Sequence, residues 1–172
     1  QLVKSSPFYE ELRHFFDDDC PDGSRLYASD AAVLDENSKD FPERMAPVNA
    51  SAAAIVELLN EHDAVDKVWY PSQSTAENYE KLRREGAGYG GLISFTLKNE
   101  KKAPKVFDAL EISKGPSLGT EFSLACPYPL LAHSDALAWA EGCGVPRDLI
   151  RLSVGIEDAQ LLLERVAKAL EA

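Results

Sequence analysis

Apolar positions switch between helical and alternating spacing along this chain, and the switches mark its elements. Over residues 7–16, Phe8, Leu12, Phe15 and Phe16 recur at near-helical intervals, with Ser5 or Ser6 able to cap and Pro7 suited to the first turn. Asp17, Asp18 and Asp19, followed by Pro21 and Gly23, predict a solvated loop. Residues 28–62 are mostly helix formers, and Pro42 and Pro47, which lack an amide hydrogen, predict kinks or breaks. Ala52, Ile55, Val56, Leu58 and Leu59 form the apolar stripe of a helix packed on a sheet.

Strand patterns then alternate with short helices. Residues 65–70 read as a strand ended by Pro71, 74–84 as a polar helix and 92–97 as a strand. After the charged turn Lys101-Lys102, residues 103–110 predict a helix with Pro104 in its first turn and Val106, Phe107 and Leu110 inward. Residues 122–126 and 149–154 complete a set of about four strands. Between them lie a connection at 128–131 and a helix capped by Ser134, running through Ala140 and ended by Gly142 and Gly144. The final helix, 159–170, places Leu161, Leu162, Val166 and Leu170 on one face, and residues 168–172 are expected to fray. The expected architecture is α+β, a mainly antiparallel four-stranded sheet covered by helices on one side, with residues 1–48 a helical bridge and 49–172 the compact α/β domain.

Composition narrows the partners. The 172 residues suffice for one good core. The net charge of −11 repels nucleic acid and anionic membrane surfaces. No apolar run approaches the ~20 residues of a membrane span, and the polar start, broken by Pro7, does not read as a secretory leader. Cys20, Cys126 and Cys143 are odd in number and widely spaced, predicting reduced thiols, no disulfide framework and no metal site; Cys126, in an apolar run, reads as core. His14 and His62 are assigned no role, and His133 a bond within the domain. Gly86, Gly88, Gly90 and Gly91 precede a strand rather than opening a helix, so they read as a flexible strand entry and not as a phosphate cradle.

The candidate chemistry lies at residues 149–158, Leu-Ile-Arg-Leu-Ser-Val-Gly-Ile-Glu-Asp. Ile150, Leu152 and Val154 face a core, Arg151 and Ser153 the other side, and Gly155 permits a sharp turn into a helix whose start carries Glu157 and Asp158. An arginine inside an apolar strand is costly unless an anion meets it. A structural ion pair with one of the many carboxylates satisfies that need, and so does a bidentate grip on a substrate carboxylate. The residues alone leave both open.

Read beside Lys114-Gly-Pro-Ser-Leu-Gly119, this segment resembles the carboxy-terminal domain of the pyridoxal-phosphate enzymes of cysteine and methionine metabolism, the group of cystathionine γ-synthases, cystathionine lyases and sulfhydrylases. Asn37-Ser-Lys-Asp-Phe-Pro-Glu-Arg44, Val68-Trp-Tyr-Pro71 and Gly88-Tyr-Gly-Gly-Leu-Ile-Ser-Phe95 are most similar to its fungal cystathionine γ-synthase branch. The resemblance implies that Arg151 holds the α-carboxylate of an amino-acid substrate, with Ser117 and Leu118 beside it. Thr120 and Pro116 depart from residues common in the family, next to the same pocket.

None of the lysines from Lys4 to Lys168 has the serine–threonine setting of the family's catalytic lysine, and neither a phosphate cradle nor a ring-stacking aromatic is recognisable. The resemblance therefore implies the last part of a longer cytoplasmic enzyme, with no catalytic and no cofactor-binding residue in this chain. Pyridoxal phosphate would be held by a cofactor domain or chain lying N-terminal to it, and would act as electron sink. The implied reaction is γ-replacement on an activated homoserine by cysteine, in a homo-oligomer, and this chain alone would be inactive. A lyase, a sulfhydrylase or a non-catalytic assembly unit is the alternative.

Overall fold

A computed structural model describes residues 6–19, 26–73 and 76–172. Expectations for Lys4, Ser5, Cys20, Pro21, Gly23 and Ser74 lie outside these residues, as do those for the side chains of Phe15 and Phe16. The chain divides into two compact units, Gln1–Phe41 and Pro42–Ala172.

The first unit is helical, with α1 at Tyr9–Asp19 and α2 at Ala28–Ser38. Ser6 starts α1: its hydroxyl accepts from the Phe8 amide at 3.3 Å and its carbonyl from Tyr9 at 3.0 Å. α2 has no buried residue, and its apolar Val33 and Leu34 are exposed.

A 21-residue helix, α3 (Phe41–Glu61), leads into the second unit. The expected break at Pro47 does not occur: α3 continues through it, giving up the one intrahelical bond its missing amide hydrogen would have made to the Glu43 carbonyl. The sheet that follows has five strands: β1 (Val65–Trp69), β2 (Leu92–Leu97), β3 (Ser113–Lys114), β4 (Leu124–Cys126) and β5 (Ile150–Ser153). Their order is β1-β2-β5-β4-β3, antiparallel except for the parallel pair β3 and β4. The four-stranded expectation thus missed β3, whose two exposed polar residues carry no alternation from which a strand can be read.

Between the strands lie α4 (Ala76–Glu80), α5 (Ala103–Ala109), α6 (Tyr128–Ala132) and α7 (Leu137–Gly142), and α8 (Ala159–Leu170) follows β5. The stretch expected as a plain connection at 128–131 is α6, and α7 starts without a side-chain cap from Ser134. Ala52, Ile55 and Leu59 of α3, Val106 of α5, and Leu162, Val166 and Leu170 of α8 bury against Val68, Ile93, Phe95, Ala125, Ile150 and Leu152. Leu161, expected inward, is 41% exposed, because the buried phase of α8 runs through Leu162, Val166 and Ala169. Nor does the last turn fray: Ala169 and Leu170 are in the core, and Lys105 Nζ donates to the Ala172 carbonyl at 3.2 Å.

A bulge between Val65 and Lys67 explains how β1 buries Val65 and Val68 three positions apart, with Lys67 left outside. The glycine run is pinned rather than flexible. Asn49 of α3 accepts from the Gly90 amide at 2.8 Å, and the Tyr70 hydroxyl donates to the Gly90 carbonyl at 2.7 Å. Gly88 and Gly91 have no room for a Cβ, which would strike Asn49 and Val48 respectively.

Burial first, and then the neighbouring Tyr79 and Tyr89, push the Tyr70 phenol up to about 12. A proton held more tightly in the folded than in the unfolded chain contributes stability that is present below the unfolded value near 10 and lost as pH rises toward 12. The melting temperature is expected to fall over that window. In Tyr70→Phe the fall should be shallower, and an identical slope would remove Tyr70 as its cause.

Candidate functional site

The sheet has two unlike faces. Ile150, Leu152 and Val154 put the core on one side of β5, while Arg151 and Ser153 stand on the other. Arg151 lies at the middle of the sheet, in register with Ser94 of β2 and Cys126 of β4, so its backbone is held on both sides.

Among the described residues no Asp or Glu forms an ion pair with Arg151. Its Nη2 instead donates to the Pro116 carbonyl at 2.6 Å, at the start of the bend carrying Ser117 and Leu118. The guanidinium carbon sits 5.1 Å from the centre of the Tyr128 ring. Its Nε is buried with no hydrogen-bond partner. A neutral carbonyl takes one of five donors and none of the charge, so the group keeps its positive charge and a donor without a partner.

The bend is fastened to the strand that carries the arginine. Gly119, at φ +71°, donates its amide to the Ser153 hydroxyl at 3.2 Å. Ser117 and Leu118 are exposed at its tip. Leu118, Gly119 and Thr120 line a cavity of about 160 Å³ together with Leu92, Ser153 and Met45. The Thr120 hydroxyl donates to the Phe122 carbonyl at 2.6 Å, which commits its one proton within the bend.

Glu157 locks the far end of the bend. It accepts from both the amide and the hydroxyl of Ser123, and the Ser123 oxygen in turn accepts from the Gly155 amide at 2.9 Å. A Cβ at Gly155 would come closer than 3.0 Å to the Glu121 carbonyl oxygen and the Phe122 backbone, so the turn requires glycine for close approach, not for an unusual φ. Asp158 caps α8 by accepting from the Leu161 amide at 2.9 Å. Of these two acids, both expected only to complement the helix dipole, one is instead a structural strut.

Three groups escaped sequence reading: the Pro116 carbonyl, Ser153 as an anchor for the bend, and Tyr128. Their roles come from strand register, and the one hint in the sequence was that Tyr128 follows the strand end at Cys126 by two residues. Burial pushes the Cys126 thiol up despite the opposing charge of Arg151, consistent with a core role for this buried residue. Among the described residues no group of His, Cys, Asp and Glu could hold a metal ion, and no helix is long and apolar enough to cross a membrane.

The family profile described as Cys/Met metabolism PLP-dependent enzyme matches residues 4–171. Cystathionine gamma-synthase of Neurospora crassa is 42% identical over 168 residues, 97% of this chain and 27% of that protein. Cystathionine gamma-lyase of Bacillus subtilis is 34% identical over 172 residues, 99% of this chain and 45% of that protein. A crystal structure of cystathionine gamma synthase from Xanthomonas oryzae pv. oryzae, in complex with aminoacrylate and cysteine, superposes with a TM-score of 0.68 at 28% identity, over 77% of this chain and 35% of that one. The chain belongs to the Cys/Met metabolism PLP-dependent enzyme family, and it spans about a quarter to under a half of the length of these curated relatives.

The family's cofactor is pyridoxal phosphate. The groups most suggestive of a cofactor anchor here do not fit one. The glycine run is packed against Asn49 and Val48, with the Gly90 amide bonded to Asn49. Lys114, whose partial desolvation pushes its ammonium down, donates to the Phe107 and Leu110 carbonyls at the end of α5.

Proposed function

We propose that this chain is the substrate-gripping part of a pyridoxal-phosphate-dependent transsulfuration enzyme of the cystathionine γ-synthase type. Arg151 receives the α-carboxylate of the amino-acid substrate, and Ser117 and Leu118 flank it from the bend. The observation that carries this reading is a half-buried strand arginine with no carboxylate partner and an orphan Nε, placed against that bend. A carboxylate there supplies the missing charge and acceptors in the planar geometry a guanidinium prefers. Held at that end, the substrate presents its Cα–H bond in one orientation, the kind of ordering that lowers a barrier without new chemistry.

Residues 1–48 serve as a bridge to the cofactor domain, which lies outside this chain together with the catalytic lysine. The exposure of Phe8, Leu12 and Phe41 favours that role, since a covering domain would bury them. The 42% identity to a fungal γ-synthase favours γ-replacement: the acyloxy group leaves Cγ of an activated homoserine as a carboxylate, cysteine sulfur bonds to that same carbon, and the thiol proton is released. The Bacillus subtilis relative keeps a lyase as second reading.

Product analysis of the full-length enzyme tests the choice. With an acylated homoserine and cysteine, cystathionine is the expected product. Release of a 2-oxo acid and ammonia from cystathionine, without its synthesis, would establish the lyase instead. The 172-residue chain alone is expected to retain no pyridoxal phosphate through gel filtration and to show no turnover.

A further inference from the structure

We infer that Tyr128 is a positioning residue for Arg151, holding its guanidinium plane in the orientation that receives a carboxylate. This rests on the carboxylate-gripping reading of Arg151. A long arginine side chain standing free on a strand has several rotamers, and a two-point grip requires one of them. The cross-strand neighbours Ser94 and Cys126 are too short to clamp a guanidinium from the side. The Pro116 carbonyl fixes one nitrogen and leaves rotation about that bond open.

The ring of Tyr128 supplies the missing restraint. Its centre lies 5.1 Å from the guanidinium carbon, within the ~6 Å over which a ring attracts a cation. The ring is itself backed from another direction. His133 meets it at 5.6 Å and 83°, an edge-on arrangement, and Trp139 lies 6.0 Å from His133. Tyr128 is placed for this because β4 ends at Cys126, opposite Arg151, and Pro127 turns the chain into α6. The stack leaves the buried Nε and the remaining donors free, so it orients the guanidinium without using the groups that a carboxylate needs.

The test uses the full-length enzyme and separates KM from kcat. Tyr128→Leu removes the ring and is expected to raise KM for the amino-acid substrate about threefold to thirtyfold, with kcat within about twofold. Tyr128→Phe keeps the ring and is expected to restore KM. In an Arg151→Ala background, Tyr128→Leu is expected to add nothing, because the group it positions is gone. Should the leucine variant fail to fold, Tyr128→Met, which also lacks a ring, carries the same expectations. An unchanged KM in Tyr128→Leu, or an equal rise in the Arg151→Ala background, overturns the positioning role alone. An unchanged KM in Arg151→Ala by itself overturns the carboxylate reading and this inference with it.

Discussion

Arg151→Ala in the full-length enzyme is expected to raise KM for the amino-acid substrate by roughly two to three orders of magnitude, the size of effect seen when one partner of a hydrogen-bonded charge pair is truncated. Its effect on folding should be small by comparison. Arg151 makes no ion pair among the described residues, and its Nε is a buried donor without a partner, so alanine removes a desolvation cost along with one bond to Pro116. Steady-state kinetics beside thermal melting separate the two effects. A folded variant with the parent KM would show that the carboxylate binds elsewhere. Loss of folding without the kinetic effect would restore the structural reading of this arginine.

Phe95→Ala is expected to do the reverse, lowering stability by about 3 to 5 kcal/mol, the range for deleting a large buried aromatic. Phe95 is fully buried on β2, pairs with Val68 on one side and Ile150 on the other, and is among the largest side chains of the core. Its neighbours come from two strands already fixed by hydrogen bonds, so the cavity left behind can collapse only in part. Urea unfolding measures the loss. A change below about 1 kcal/mol would mean that the sheet and its helices relax far more freely than a close-packed core allows. Because Phe95 points away from the Arg151 face, KM in the fraction that stays folded should hold.

These two residues also show where sequence legibility ends. The inward phase of Phe95 follows from its place in Ile93, Phe95 and Leu97, each alternate residue apolar and each buried. The same logic placed Arg151 off the core face. What it did not give was the partner of Arg151, because ion pair and open grip use identical residues and differ only in which group lies within about 3 Å. The glycine run shows the converse. Its residues were read as a flexible entry, whereas Asn49, 41 positions away, fastens it, and no local pattern announces so distant a bond.

Several element boundaries moved for a similar reason. Pro47 was expected to kink or break a helix, yet α3 continues through it, with Val48, Ser51 and Ala52 buried just beyond. β3 is a strand only because β4 lies beside it; its backbone pairs Ser113 with Leu124 and Lys114 with Ala125, while its own side chains are exposed. Glu157 reads as a favourable charge at a helix start and becomes a brace across Ser123 only when the Gly155 turn brings the two segments together.

Periodicity by itself determined the α+β class, the inward faces of β5 and most of α8, and the isolation of an arginine on the outer face, since these depend on the 2.0 and 3.6 repeats of the backbone. The resemblance carried by residues 114–119 and 149–158 determined the family. Tertiary structure decided what surrounds the arginine: the Pro116 carbonyl on one side, the Tyr128 ring across it, a donor left without a partner, and the Ser123–Glu157 brace below. The physical reason is range. Burial phase is set by a residue and its neighbours in sequence, whereas hydrogen-bond partners are set by strand register and turns that bring together atoms about 35 positions apart.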